Sequence, residues 1–259
     1  MRSTYLILIV FFLAGRGSGN TSHILQEVSE PADLIFHYSV LKAIDNGVLE
    51  GSMTVGELMK HGDLSIGTFN SLDGEMIMVD HEIYRITPDG QIVKPGNEMN
   101  VPYSITTFFK PDDTLQMDGE ITYPSLIEHT EGMLPSKNLF YAFRISGSFD
   151  YIKCGGAARQ ERPYDKSLLE ILADRPVYEA ENITGILAGF WCPEYIGDIN
   201  TVGFHLHFIS DNHTLGGHLM EFRATSLTIE YDTKSQYHIV LPDTDEFRQA
   251  HFRHEKVNY

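Results

Sequence analysis

Apolar positions in this chain recur with two different periods. Leu34, Ile35, Tyr38, Leu41 and Ile44 fall at helical spacing and Gly47 follows as a stop, which predicts a helix over residues 34–44. A second short helix is predicted over 55–60, with Thr54 as its cap and Gly62 beyond its end. The pattern then changes. Segments 67–70, 74–80, 82–87, 92–94, 104–109 and 115–119 are short and rich in Ile, Val, Tyr, Phe and Thr, with Gly, Asp, Asn or Pro between them. They read as strands joined by tight turns, Pro88-Asp89-Gly90 being the clearest. Further strands are predicted over 140–149, 150–153, 185–191, 203–209, 219–227 and 236–241, and helices over 124–131, 164–172 and 243–251. The sum is an α+β fold, β-rich, with mixed and antiparallel sheets and few helices.

One stretch carries more chemistry than the rest. In Gly203-Phe204-His205-Leu206-His207-Phe208, two imidazoles are separated by one apolar residue, so on a strand both leave the same face. Ser210-Asp211-Asn212 and Gly216-Gly217 supply turn residues, and the extended pattern resumes at Leu219. A hairpin here carries His218 back beside the first pair. His-x-His alone also fits ordinary cross-strand packing; His218 adds a route to a third ligand. Three neutral imidazoles with no cysteine among them suit zinc or a similar divalent ion and leave a coordination position open. His213 lies within the turn as a solvated residue. The expected architecture is two β-rich lobes around this metal site, meeting near residues 160–180.

Composition narrows the setting. Residues 1–19 carry Arg2, an apolar run over 5–14 and then mostly small residues, the form of a secretory signal peptide; that run is too short to span a bilayer. Cleavage is expected between Ala14 and Asn20, which makes the protein secreted and leaves 20–32 as a linker before a domain over 33–259. The net charge is −17, and removal of Arg2 and Arg16 makes it two units more negative. Such a surface argues against nucleic acid or an anionic membrane as partner. Cys154 and Cys192 are the two cysteines, free to pair in an oxidising compartment or to stay as buried thiols. Asn20 and Asn182 head possible glycan acceptor sites.

Several ordered motifs carry a family resemblance. Leu58-Met59-Lys60-His61-Gly62-Asp63 precedes Gly67-Thr68-Phe69-Asn70-Ser71-Leu72-Asp73-Gly74-Glu75-Met76, and Gln160-Glu161-Arg162-Pro163-Tyr164 precedes Trp191-Cys192-Pro193-Glu194-Tyr195 and the histidine hairpin. Together, over residues 34–247, they resemble the α-acetolactate decarboxylase family. The resemblance implies conversion of 2-acetolactate to acetoin and carbon dioxide, with zinc held by His205, His207 and His218. A 2-hydroxy-3-oxo acid loses carbon dioxide when the electrons of the breaking bond enter the adjacent carbonyl, and a Lewis acid stabilises the resulting enediolate. Glu75 matches a family active-site glutamate and is the expected proton donor, a role that a pKa raised by burial would favour. Thr68 matches a pocket-lining residue.

Two positions depart from the family. It normally carries an arginine five residues ahead of the Gln-x-x-Pro-Tyr glutamine, which here is Gly155. A guanidinium there would grip a carboxylate or an enediolate oxygen; glycine cannot, so turnover is expected to be impaired unless Lys153 or Arg159 reaches in. The family also ends in a glutamate that folds back into the site, for which Glu255 is the candidate. The principal expectation is therefore a secreted, zinc-dependent decarboxylase of a small 2-hydroxy-3-oxo acid, with a homodimer as the candidate assembly. The alternative is an inactive secreted metal-binding homologue that serves as a small-acid binding or interaction protein. A cupin-type metal oxygenase ranks last, since no glutamate follows His207 at the short spacing that pattern uses.

Overall fold

The computed structural model describes residues 33–252; the leader, the linker and Glu255 lie outside the described residues. The chain opens with β1 (Leu34–Tyr38), α1 (Leu41–Asp45), β2 (Met53–Thr54) and α2 (Val55–Leu58). There follow β3 (Leu64–Thr68), β4 (Glu75–Val79), β5 (Glu82–Ile86), β6 (Ile92–Val93), β7 (Asn100–Val101), β8 (Tyr103–Thr107) and β9 (Asp113–Thr122). After α3 (Tyr123–Met133) come β10 (Phe140–Gly155), α4 (Leu168–Ala173), β11 (Val177–Cys192), β12 (Gly203–Ser210), β13 (Gly216–Lys234), β14 (Gln236–Val240) and α5 (Asp245–Gln249). The β-rich architecture with mixed sheets and short helices agrees with the pattern of the sequence.

The helix expected over 34–44 is instead a strand followed by a single helical turn. Ile35, Phe36, His37 and Tyr38 are all buried, because β1 lies inside a sheet between β14, which it pairs in parallel, and β8, which it pairs antiparallel. A continuous apolar run contains the helical spacing by default, and burial on both faces settled it as strand. The second expected helix forms where Thr54 and Glu57 make a reciprocal capping box. The helix expected over 164–172 starts at Leu168, where Ser167 and Glu170 make another such box. The separate strands expected over 140–153 are one long β10.

Seven strands form a sheet in the order β14-β1-β8-β3-β4-β5-β6, antiparallel except for β1 with β14. In the second sheet β10, β11, β12 and β13 pair in a ring, since β13 bonds both β12 and β10, and β9 extends it from β13. The two sheets meet through Ile66, Ile77 and Ile105 on one side and Ala188, Phe190 and Ile209 on the other. On the far face of the seven-stranded sheet Met76 and Met78 pack with Val55 and Leu58 of α2. Alternation thus sends the neighbours in β4 to two different cores. The ring of strands encloses its own cluster, with Phe143, Phe149, Phe208 and Phe222 buried at its centre. Cys154 belongs to that cluster and Cys192 to the one between the sheets; both are free and buried.

Candidate active site

Strand β12 faces two ways. Leu206 and Phe208 point into the aromatic cluster of the ring, while His205, His207 and Ile209 take the opposite face toward the seven-stranded sheet. His218 stands directly across from His207 in the antiparallel pairing of β12 with β13. The neighbouring Gly217 has a positive φ of 134°, and a Cβ there would lie 2.6 Å from the Gly155 carbonyl oxygen. Glycine is therefore what lets β13 come close enough to β10 to set His218 in place. The three ring centroids lie 5.0 to 5.4 Å apart. One nitrogen from each ring falls within 4.8 Å of the others, a grouping that could hold a metal ion.

Hydrogen bonding fixes the state of the central ring. His207 Nδ1 lies 2.8 Å from the Met76 carbonyl oxygen, which can only accept, so Nδ1 carries the proton and Nε2 the lone pair. His207 Nε2 and His205 Nδ1 are buried and have no hydrogen-bond partner among the described residues. Orphaned buried ring nitrogens of this kind cost free energy unless something satisfies them. Burial holds His205 down to about 4 and His207 to about 3, and puts His218 well below the usual imidazole range. Three neutral rings that each offer one nitrogen to the same space, with no thiolate among them, fit a divalent cation of borderline softness.

Glu75 opens β4 directly across from Thr68 of β3, and its Oε2 is 3.7 Å from His207 Nε2. Its side chain is buried, and the loss of hydration pushes its pKa up to about 8, against a smaller opposing pull from Arg175. At neutral pH it is a carboxylic acid beside a neutral ring, so the contact is not an ion pair. Thr68 is buried with its hydroxyl donating to the Gly74 carbonyl at 2.7 Å. That bond closes the turn from which Glu75 emerges, so Thr68 holds Glu75 in position while its own side chain lines the cavity. Tyr103, on the next strand, donates to Asn200 Oδ1 at 2.6 Å and backs the same wall.

These residues border a cavity of about 150 Å³. Glu75 and the histidines sit at one end; Leu41, Leu168, Ile171 and Leu172 of α1 and α4 line the other. A void of this size, largely apolar, accepts a benzene-sized guest. Neither cation expected near Gly155 enters it. Lys153 pairs with Glu179 on β11 at 3.3 Å, and Arg159 is exposed and pairs with Asp73 at 3.4 Å. The cation in the lining is Arg175, from the joint between α4 and β11. Sequence reasoning missed it, because Asp174-Arg175-Pro176 has no motif character. The available signal was the hairpin register, which pairs Gly155 with Val177 and leaves residue 175 just beyond.

The comparisons with known proteins agree with one another. A family model described as alpha-acetolactate decarboxylase matches residues 35–254. The chain is 33% identical over 235 residues to the alpha-acetolactate decarboxylase of Bacillus licheniformis, covering 91% of this chain and 92% of that one. It is 34% identical over 229 residues to the protein of the same name from Methanosarcina mazei, covering 88% of this chain and 79% of the relative. The crystal structure of alpha-acetolactate decarboxylase from Bacillus subtilis strain 168 superposes with a TM-score of 0.83 at 35% identity, over 85% of this chain and 94% of that one.

Proposed function

The chain belongs to the alpha-acetolactate decarboxylase family, and from that membership we propose that it is a zinc-dependent lyase converting 2-acetolactate to acetoin and carbon dioxide. The observation that carries the reading is the orphaned Nε2 of buried His207, set beside a protonated Glu75 at the end of an apolar cavity. His205, His207 and His218 would hold the ion. When bound, it supplies Lewis acidity toward the hydroxyl and carbonyl oxygens of the substrate, which favours flow of the breaking bond's electrons into an enediolate.

The protein's own groups do the rest. Burial keeps the three rings neutral, so protons do not compete for their lone pairs at ordinary pH. The Met76 carbonyl orients His207 and fixes its tautomer. Glu75 holds a proton at neutral pH and lies where it can release it to one face of the enediolate carbon, which sets the configuration of the product. Leu168, Ile171 and Leu172 keep water from the developing charge.

The leader-like residues 1–19 support the further reading that the enzyme acts after export. Its check is the N-terminus of protein recovered outside the cell, expected to begin between residues 15 and 20. The activity itself is tested by supplying racemic 2-acetolactate to metal-replete protein. Acetoin and carbon dioxide should appear well above the spontaneous rate and return to it on chelation. Absence of turnover with one metal bound per chain would instead favour the small-acid binding protein.

A further inference from the structure

We propose that Arg175 receives the carboxylate of the substrate, and that residue 155 is glycine because the Arg175 side chain occupies the space a side chain there would need. The identity of the acid rests on the decarboxylase reading; the anion site itself does not. A Cβ built on Gly155 would lie 2.9 Å from both Cδ and Nε of Arg175 and 3.1 Å from Cζ. The arginine therefore lies flat over the backbone of β10 at that point. Gly155 in turn stands directly across from His218, which brings the guanidinium alongside the histidine trio. Its positive charge is felt by both His218 and Glu75.

The surroundings leave that charge unanswered. Arg175 is half-buried and makes no hydrogen bond or ion pair with any described residue, although it carries five donors. The acid nearest in charge to it, Glu75, is turned toward His207, with Oε2 3.7 Å from Nε2 of that ring, and makes no ion pair with the arginine. The rest of the lining consists of apolar side chains, glycines, hydroxyl groups and the three histidines, with no other carboxylate. A small oxyacid entering this space must shed water from its carboxylate, and the planar fork of Arg175 is the group present to replace that water, with two parallel charge-assisted bonds. The grip acts on arrival and orientation. As the C–C bond breaks, the carboxylate becomes neutral carbon dioxide and its negative charge passes to the enediolate, so nothing retains the leaving gas on the arginine. Arg175 should consequently govern substrate affinity more than the rate of the bound complex.

The test uses an unreactive pair of ligands on metal-replete protein: 2-hydroxy-2-methylpropanoate and its uncharged amide, measured by titration calorimetry. The unsubstituted protein should prefer the acid. Arg175→Gln should weaken the acid roughly 10- to 100-fold while leaving the amide and the metal content unchanged. Arg175→Lys should fall between the two, and Gly155→Ala, which pushes the arginine aside, should lower the acid preference about three- to tenfold. With 2-acetolactate, the loss in Arg175→Gln should lie mainly in KM. An acid-to-amide ratio unmoved by Arg175→Gln overturns the proposal, as does a loss confined to kcat, which would place the arginine on the enediolate oxygen instead. A protein that shows the Arg175-dependent preference yet makes no acetoin would sink the decarboxylase reading and leave this one standing.

Discussion

The two ends of the cavity are built by different means. At the inner end the ligands come from β12 and β13, regular strands whose alternation and register leave little freedom to each side chain. At the mouth the lining comes from α1 and α4, helices of five and six residues, and the irregular joint after α4 carries Arg175 back from there over Gly155 toward the trio. Strand geometry places a metal-binding group by covalent repeat alone. A joint places its side chain only through the path of the whole backbone around it. The inner end is therefore rigid and shared with chemistry, while the mouth is where a substrate contact can move from one strand to a neighbouring loop.

The sharpest way to break the comparison is to remove a strand-borne ligand. His207→Ala should abolish metal retention and lower turnover by roughly 10³-fold or more, since a Lewis acid lowers the barrier by several kcal/mol. Metal analysis of the purified variant beside an acetoin assay checks it. Metal retained with full occupancy would mean that the trio is a packing feature of the sheet.

Glu75→Gln keeps the shape of the inner end and removes its proton. A decrease of about 10² to 10³ in kcat is expected, with metal content unchanged. The pH dependence adds a second reading. As a donor Glu75 must be protonated, so activity should fall as pH rises through about 8, and that limb should vanish in the variant. Stability of metal-free protein follows the same linkage. The folded pKa of Glu75 lies above its unfolded value of 4.5, so its contribution is fully present below 4.5 and lost as pH rises toward 8. The histidines run the other way. Their folded values are depressed, so their contribution is present above 6.5 and lost as pH falls through about 4 for His205 and about 3 for His207. Denaturant unfolding of the metal-free protein at pH 4 and pH 9 should show Glu75→Gln no more stable than the parent at the first and more stable at the second.

How much of this was legible follows the same division. The histidine hairpin could be read from the sequence because period-two alternation, Gly-Gly and a turn cluster are local signals, and Glu75 could be read as emerging from the Asp73-Gly74 turn. Its burial could not, since that depends on a second sheet closing over β4. The run from Leu34 to Tyr38 was misread because helical spacing within an unbroken apolar stretch carries no information about a parallel partner 200 residues later. Arg175 was invisible for a further reason. Gly155 signals an absent side chain, and only the β10–β11 register together with the turn from α4 shows what fills the space.

That exchange makes a prediction opposite in sign to the one from sequence alone. If Gly155 were simply a lost arginine, Gly155→Arg would raise activity. With Arg175 already lying over the position, a second guanidinium must displace the first and places two like charges together. The variant should lose about tenfold in kcat/KM. A gain in steady-state kinetics would show that the mouth lacks its cation and that Arg175 does not serve.

The smallest effect concerns the apolar part of the mouth, and it is best judged against the inner strand. Leu206, between the two histidines, is 1% exposed and packs into the ring of strands, so Leu206→Ala should cost about 2–5 kcal/mol of stability in denaturant unfolding. Leu172 is 39% exposed on α4, with part of its side chain over the cavity. Removing it takes away few packed atoms, so Leu172→Ala should change stability by no more than about 0.5 kcal/mol. Its effect should appear instead as water admitted to the site, a change in kcat/KM of about threefold. Equal stability losses for the two leucines would mean that α4 is as tightly packed as β12, and the mouth would then be no freer than the metal end to change its contacts.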